Sequence, residues 1–247
     1  MEKHLQGKVA IVTGSSRGIG RTVVERLAAV GASVVVNCSK TTDKAAEVVD
    51  SIIQGGGKAV LVCADITKVD ETEKLFKDTI AAFGKVDILV NNAGVAINKP
   101  MAQITEADFD VQFAVNVKGT YFCCQQALKY MENNGRIVNI STSVNGQMYM
   151  NFTVYCGTKG AVEQITRQVA KEFGPKQITV NAVAPGPVYT DLLKSQRTEQ
   201  ELENMKNMNA FKRHGETEDV ADVIEFLVSE KAHWITGQAL RVNGGLI

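Results

Sequence analysis

The 247-residue chain contains no apolar run near the roughly 18 to 20 residues that a membrane span requires. Blocks of like charge are missing too. Twenty-seven Lys and Arg balance 27 Asp and Glu, which argues against a nucleic-acid surface. Histidines are few, and His4, His214 and His233 stand at no metal-ligand spacing, so no metal is expected. There is no C-x-x-C. The five cysteines, Cys38, Cys63, Cys123, Cys124 and Cys156, are odd in number and read as reduced thiols. The start, Met1 to Gly7, is charged and lacks the apolar stretch of a secretory signal. A soluble cytoplasmic protein is expected. No linker, repeat or low-complexity segment interrupts the chain, which predicts one domain over residues 1–247.

What is present is an alternation of short β-branched runs with longer helical patterns. Lys8 to Thr13, Ser33 to Asn37, Ala59 to Cys63 and Val86 to Val90 read as strands. Between them, 18–30, 42–54 and 69–83 carry helical spacing, the last closed by Gly84. A long helical region follows over 105–133, then a strand at Arg136 to Ile140 and a helix over 153–174. Ile178 to Val183 and Gln238 to Val242 are further strands, with a helix near 217–229 between them. Strands that are apolar throughout and alternate with helices predict the α/β class, a parallel sheet covered on both faces. The polar stretch 190–213 reads as short helices in a lid over about 186–213, with Leu192, Leu193, Met205, Met208 and Phe211 as an apolar wall.

Two motifs carry chemistry. The first strand ends in Thr13-Gly14-Ser15-Ser16-Arg17-Gly18-Ile19-Gly20, a turn that opens a helix. Glycines there permit a tight turn, close approach to a pyrophosphate and close packing of helix on sheet, and the helix N-terminus favours phosphate. The second strand ends in Asn37-Cys38-Ser39-Lys40 without the acid that would hold an unphosphorylated ribose. Arg17 and Lys40, with Ser39 as a hydroxyl donor, suit a 2′-phosphate, so NADPH is the expected cofactor. Asp65, after the third strand, is a candidate adenine contact or a cap for the next helix. Far downstream, Tyr155-Cys156-Gly157-Thr158-Lys159 puts a phenol and an ammonium one helical turn apart. A nearby cation is expected to lower the phenol from about 10 and suit it to proton transfer near neutral pH. Cys156 beside it reads as a packed small residue.

These residues together resemble the short-chain dehydrogenase/reductase superfamily over essentially the whole chain. Thr13 to Gly20 matches that family's T-G-x-x-x-G-x-G, Asn91 to Gly94 its N-N-A-G, and Tyr155 with Lys159 its Y-x-x-x-K. The resemblance implies a single Rossmann-type, doubly wound parallel sheet of about seven strands. It implies cofactor contacts from Gly14, Ser16, Arg17, Gly18, Ile19, Gly20, Ser39, Lys40, Asp65 and Ile66 in the first half. Asn92, Ala93, Gly94, Tyr155, Lys159, Pro185, Gly186, Val188 and Thr190 complete that set. Tyr155 would be the general acid or base, Lys159 its partner, and Asn116 the support of a water-linked proton path, or simply a hydrogen bond inside its helix. The family's serine is replaced. Counting 13 residues back from Tyr155 gives Thr142, whereas counting back from Gly146 gives Ser143, so the oxyanion donor is Thr142 with Ser143 its rival.

The frame is similar to 3-oxoacyl-(acyl-carrier-protein) reductases, which dock an acidic carrier protein on basic residues. Here Met131 to Asn134 is acidic to neutral, although Lys129, Lys171 and Lys176 lie near. The expected activity is therefore NADPH-dependent reduction of a small carbonyl substrate, with 3-oxoacyl thioester reduction as the alternative. A cofactor-sensing protein without catalysis is the reading from another class. A homotetramer, or a dimer, is the assembly that the resemblance implies.

Overall fold

The computed structural model describes residues 3–40, 42–195 and 197–247. Met1 and Glu2 of the charged start, and Gln196 within the lid stretch, lie outside them. Seven strands form one sheet in the order β3-β2-β1-β4-β5-β6-β7, with every pairing parallel. They are β1 (Val9–Val12), β2 (Ser33–Cys38), β3 (Lys58–Cys63), β4 (Ile88–Asn91), β5 (Arg136–Ile140), β6 (Thr179–Pro185) and β7 (Ala239–Val242). Side chains alternate between the faces, as strand geometry demands. Ala10, Val12, Val34 and Val36 join one core with Val24 and Leu27 of α1 (Gly18–Ala29) and Ile224 of α9 (Thr217–Val228). Ile11, Val35, Leu89 and Ile137 point the other way. They meet Leu75 and Phe76 of α3 (Val69–Phe83), Cys123 and Ala127 of α5 (Thr120–Tyr130) and Phe173 of α6 (Thr153–Phe173). Two dry faces explain why the strands read as continuous apolar runs.

Most expected elements fall within two residues of their places, including α2 (Thr42–Gln54) and the left-handed Gly84 that ends α3. Two differ. The expected strand Val86 to Val90 is found shifted to Ile88–Asn91; just before it the Asp87 amide donates to the Val9 carbonyl at 2.9 Å and the Asp87 carboxylate accepts the Val9 amide at 2.8 Å. The long helical region is not one α-helix. Between α4 (Glu106–Gln112) and α5, residues Phe113–Gly119 form a π-helical segment. The polar stretch after β6 supplies the short helices α7 (Asp191–Lys194) and α8 (Glu199–Asn207), the latter started by a capping box between Thr198 and Glu201.

The chain runs outward from β1 to β3 and then returns to β4 beside β1. At that reversal the loops after β1 and β4 leave a crevice at the carboxyl ends of the strands, where open α/β sheets bind ligands. Among the described residues no helix is long and apolar enough to cross a membrane.

Candidate active site

The loops after β1 and β4 are laced together by polar groups. The Thr13 hydroxyl accepts from the amides of Asn92 and Ala93 at 3.0 and 3.1 Å. The Asn92 side-chain amide donates to the carbonyls of Thr13 and Gly14 at 2.9 and 3.0 Å. Two glycines make this approach feasible. A Cβ on Gly14 would lie 2.9 Å from the Ala93 Cα, and one on Gly20 only 2.3 Å from the Asn92 amide nitrogen. Gly18 differs, because its left-handed φ of +54° demands glycine while a Cβ there would meet nothing nearer than Thr190 at 3.6 Å. Thr190 thus stands at contact distance across from the glycine turn, and it lines the same cavity as Ile19 and Val188.

Asn37, at the end of β2, is a functional support that the sequence reading passed over. It is buried, its side-chain oxygen accepts from the Gly14 amide at 3.2 Å, and its amide donates to Val62 and Ala64 carbonyls at 3.1 Å each. The available signal was an amide closing an otherwise apolar strand. Beyond it, Ser39, Lys40 and Arg17 are exposed and Ser16 is half-buried. The Asp65 carboxylate accepts from the Thr67 amide and hydroxyl at 3.0 and 2.8 Å, within the turn that precedes α3, so it does not cap that helix, whose N-cap is Lys68. Burial pushes that carboxyl up, but the Thr67 hydrogen bonds, Lys68 and Lys40 carry it net below its ordinary value. Ile66 is buried against Gly119, where a Cβ would meet it at 2.6 Å.

Across the crevice α6 presents Tyr155 in its first turn and Lys159 a turn later. Lys159 is buried, and its ammonium donates to the Ile140 carbonyl at 2.6 Å. Burial pulls it from an ordinary 10.5 down to about 8. The expected lowering of the tyrosine is reversed. Burial pushes Tyr155 up to about 12, against the opposing effect of a hydrogen bond with the Thr142 side chain. Desolvation of the phenolate outweighs any help from a lysine already held by a carbonyl. The phenol is thus protonated at neutral pH.

Thr142 and Ser143 part company. Thr142 follows β5, and its hydroxyl accepts from the Val144 amide at 3.3 Å while bonding Tyr155. The Ser143 hydroxyl donates to the Ala184 carbonyl at 2.8 Å and accepts from the Asn243 amide at 3.0 Å. It ties β5 to β6 and the C-terminal segment. Asn116, buried in the π-helical segment, accepts from the Val95 amide and donates to the Val95 carbonyl, both at 2.8 Å, and donates to Thr158 at 3.0 Å. It clamps the loop after β4 onto α6. A Cβ on Gly94 would sit 3.4 Å from the Asn116 oxygen and 3.5 Å from the Lys159 nitrogen, so these three converge.

A cavity of about 500 Å³ opens above Thr142 and Tyr155. Pro185, Gly186, Val188 and Thr190 line one side, and Tyr149 and Phe152 another. Leu192, Leu193, Met205 and Met208 wall it from α7, α8 and the turn after α8 as expected, together with Arg197, Glu201 and Asn204. Phe211 does not belong to that wall. It lies beside Gly244 and lines a separate cavity of about 150 Å³. Among the described residues no group of three or more His, Cys, Asp or Glu could hold a metal ion.

The sequence model of the family described as enoyl-(acyl carrier protein) reductase matches residues 14–247. A hydroxynaphthalene reductase-like protein, Arp2, of Metarhizium guizhouense is 39% identical, over 99% of this chain and 97% of its own. A short-chain dehydrogenase/reductase from Serratia marcescens is 35% identical with a TM-score of 0.94, covering 98% of this chain and 99% of that one. The chain belongs to the short-chain dehydrogenase/reductases. A third similar protein, the angucycline C-6 ketoreductase LanV solved with bound NADP, is 38% identical with a TM-score of 0.94, over 100% of this chain and 98% of that one. As a short-chain dehydrogenase/reductase the chain is an oxidoreductase of carbonyl and hydroxyl groups.

Proposed function

We propose that this short-chain dehydrogenase/reductase reduces a ring ketone with NADPH, using Tyr155 as the general acid. The placement of Thr142 and Tyr155 together in the lining of the large cavity carries this reading. The crevice where the loops after β1 and β4 meet suits the dinucleotide, because Gly14 and Gly20 let the two loops approach and the N-terminus of α1 opens there. Gly14, Ser16, Gly18 and Ile19 would hold the pyrophosphate region, and Arg17, Ser39 and Lys40 a 2′-phosphate. Asn92, Ala93, Gly94, Pro185, Gly186, Val188 and Thr190 would bound the nicotinamide half. Bound there, the reduced cofactor supplies a hydride to the carbonyl carbon.

The protein's own part is the oxygen. Thr142 donates a hydrogen bond to the carbonyl oxygen and stabilises the charge that grows on it. Tyr155, protonated at neutral pH, gives up its proton to that oxygen as the alcohol forms. Lys159 stabilises the phenolate left behind, and Asn116 keeps Gly94 and Val95 in register beside it.

Tyr149, Phe152, Met205 and Met208 give the cavity an aromatic and thioether wall that suits a flat, fused-ring ketone. The names of the hydroxynaphthalene reductase-like and angucycline ketoreductase relatives agree with that class. The second reading is a 3-oxoacyl thioester; the family description names enoyl thioesters, whose reducible bond is C=C, and shares with it only the carrier-bound acyl group. The basic residues expected to receive a carrier protein are partly occupied: Lys129 pairs with Glu73 at 2.8 Å, and Lys176 donates to the carbonyls of Leu128 and Met131 at 2.9 and 3.0 Å. The test is NADPH consumption against fused-ring ketones, simple ketones and 3-oxoacyl thioesters, for the wild type and Tyr155→Phe. Ring-ketone turnover lost in Tyr155→Phe, with NADPH binding kept, is the expected result. Full turnover in that variant would sink the assignment of Tyr155, and turnover of thioesters alone would install the second reading.

A further inference from the structure

Five cysteines without a C-x-x-C read as reduced thiols, but the fold sorts them unequally. Cys123 and Cys124 are sealed in the core, and Cys156 stands half-buried beside Tyr155. Cys38 and Cys63 are different, because each ends a strand and the two are direct partners in the parallel register of β2 and β3. Directly paired residues project from the same face of a sheet. The Cys63 thiol donates to the Ser39 carbonyl at 3.6 Å, beside the Cys38 side chain. Cys38 is buried at 4% exposure, whereas Cys63 is exposed to solvent.

We propose that Cys38 and Cys63 form a reversible disulfide by exchange with a low-molecular-weight disulfide of the glutathione class, and that this bond weakens cofactor binding. Neighbouring strands lie about 4.8 Å apart, inside the span of Cα separations that a disulfide bridges. The Cβ atoms must still draw together to about 3.8 Å, so the bond forms under strain and is readily reduced. Exchange begins at Cys63. Its thiolate attacks one sulfur of the external disulfide, a protein–small-molecule disulfide forms, and the first small thiolate leaves and is protonated. Cys38 then yields its proton to solvent and attacks the Cys63 sulfur, and the second small thiolate departs and is protonated in turn. Two protein thiols lose two electrons and two protons, and the external disulfide becomes two thiols. Burial pushes the Cys38 thiol up to about 11, which leaves the exposed Cys63 as the first nucleophile.

The position gives the bond its consequence. Ser39 and Lys40 follow Cys38 directly, and Asp65 lies two residues beyond Cys63. The Ala64 amide donates to the Cys38 carbonyl at 2.9 Å, so the two strand ends move as one unit. Drawing the sulfurs together displaces the residues that, on the reading proposed above, receive the 2′-phosphate. Loss of one charge-assisted contact there corresponds to about tenfold weaker NADPH binding.

The experiment treats the purified full chain with oxidised glutathione and reads two quantities separately. Peptide mass spectrometry asks whether a Cys38–Cys63 linked peptide appears, two hydrogens lighter than the sum of its parts and lost with dithiothreitol. NADPH titration by fluorescence is run on the same samples. The expected result is the linked peptide with about tenfold weaker NADPH binding, both reversed by dithiothreitol and both absent in Cys63→Ser. A stable glutathione adduct on Cys63 with no linked peptide overturns the proposal. So does a linked peptide with unchanged NADPH affinity. Absence of NADPH binding in the reduced protein would instead overturn the cofactor reading, while the linked peptide still decides the chemistry of the pair.

Discussion

Replacing the hydroxyl of Thr142 without changing its shape separates two neighbours that the sequence leaves as rivals. Thr142→Val keeps the branched side chain and removes the group that bonds Tyr155. If that hydroxyl is the donor to the developing oxyanion, its loss costs about 10²- to 10³-fold in kcat, the scale measured for one such donor in other enzymes. Folding should change little, since the other bond lost, from the Val144 amide, is long at 3.3 Å. Ser143→Ala should do the opposite. It strands the Ala184 carbonyl and the Asn243 amide, which Ser143 meets at 2.8 and 3.0 Å, and costs about 1–3 kcal/mol of stability. Its kcat should stay within a few-fold of wild type at a temperature where the variant is folded. The assay pairs steady-state NADPH consumption with urea unfolding, and Thr142→Ser serves as the rescue. A Ser143→Ala variant of normal stability that loses 10²-fold in kcat, beside an active Thr142→Val, would refute the assignment.

Three further outcomes follow from the geometry. Lys159, lowered from 10.5 to about 8 by burial, costs the folded state about 3 kcal/mol while both states carry the proton, below pH 8. Between pH 8 and 10.5 the unfolded chain binds the extra proton, so stability rises with pH and the penalty fades. The stability of Lys159→Met relative to wild type should therefore fall by up to about 3 kcal/mol from pH 7 to 10.5, and parallel unfolding curves would contradict it. Arg17→Ala with Lys40→Ala should raise the KM for NADPH by about 10- to 100-fold and leave that for NADH nearly unchanged, as measured with both cofactors on one substrate. Gly20→Ala forces a Cβ to within 2.3 Å of the Asn92 amide and 2.6 Å of the Gly14 carbonyl, and should cost about 1–3 kcal/mol in thermal or urea unfolding.

The sheet and its helices are legible in the sequence because burial on both faces writes each strand as an unbroken apolar run, and each helix as a 3.6-residue rhythm. The motif residues Gly14, Gly18, Gly20 and Asn92 are legible for a related reason: short loops at a sheet's crossover place them locally. What escaped depends on partners far along the chain. Ser143 is claimed by Ala184 and Asn243, 41 and 100 residues away, so counts from Tyr155 and from Gly146, which point to Thr142 and Ser143 in turn, could not be reconciled in sequence. The sign of the Tyr155 shift is set by burial among tertiary neighbours, whereas the i, i+4 relation to Lys159 suggests the reverse. Asn37 looks like a strand end until its three backbone partners are seen. Phe211 sits among lid residues in sequence, yet packs beside Gly244.

The π-helical stretch Phe113–Gly119 holds one residue more than an α-helix of the same rise would use. Such a surplus acts as a phase shifter. The face that α4 shows to α6 and the face that α5 shows to α3 are set by separate rhythms, offset by about 100° across the bulge. Asn116 occupies the offset itself, where the widened turn frees its amide to grip Val95. Deleting a single residue here would bring the two rhythms back into phase. It would also turn α5 by about 100° relative to α4, so that α4 on α6 and α5 on α3 could not both keep their packing. The junction thus fixes where the two packing faces meet, with Asn116 at the meeting point.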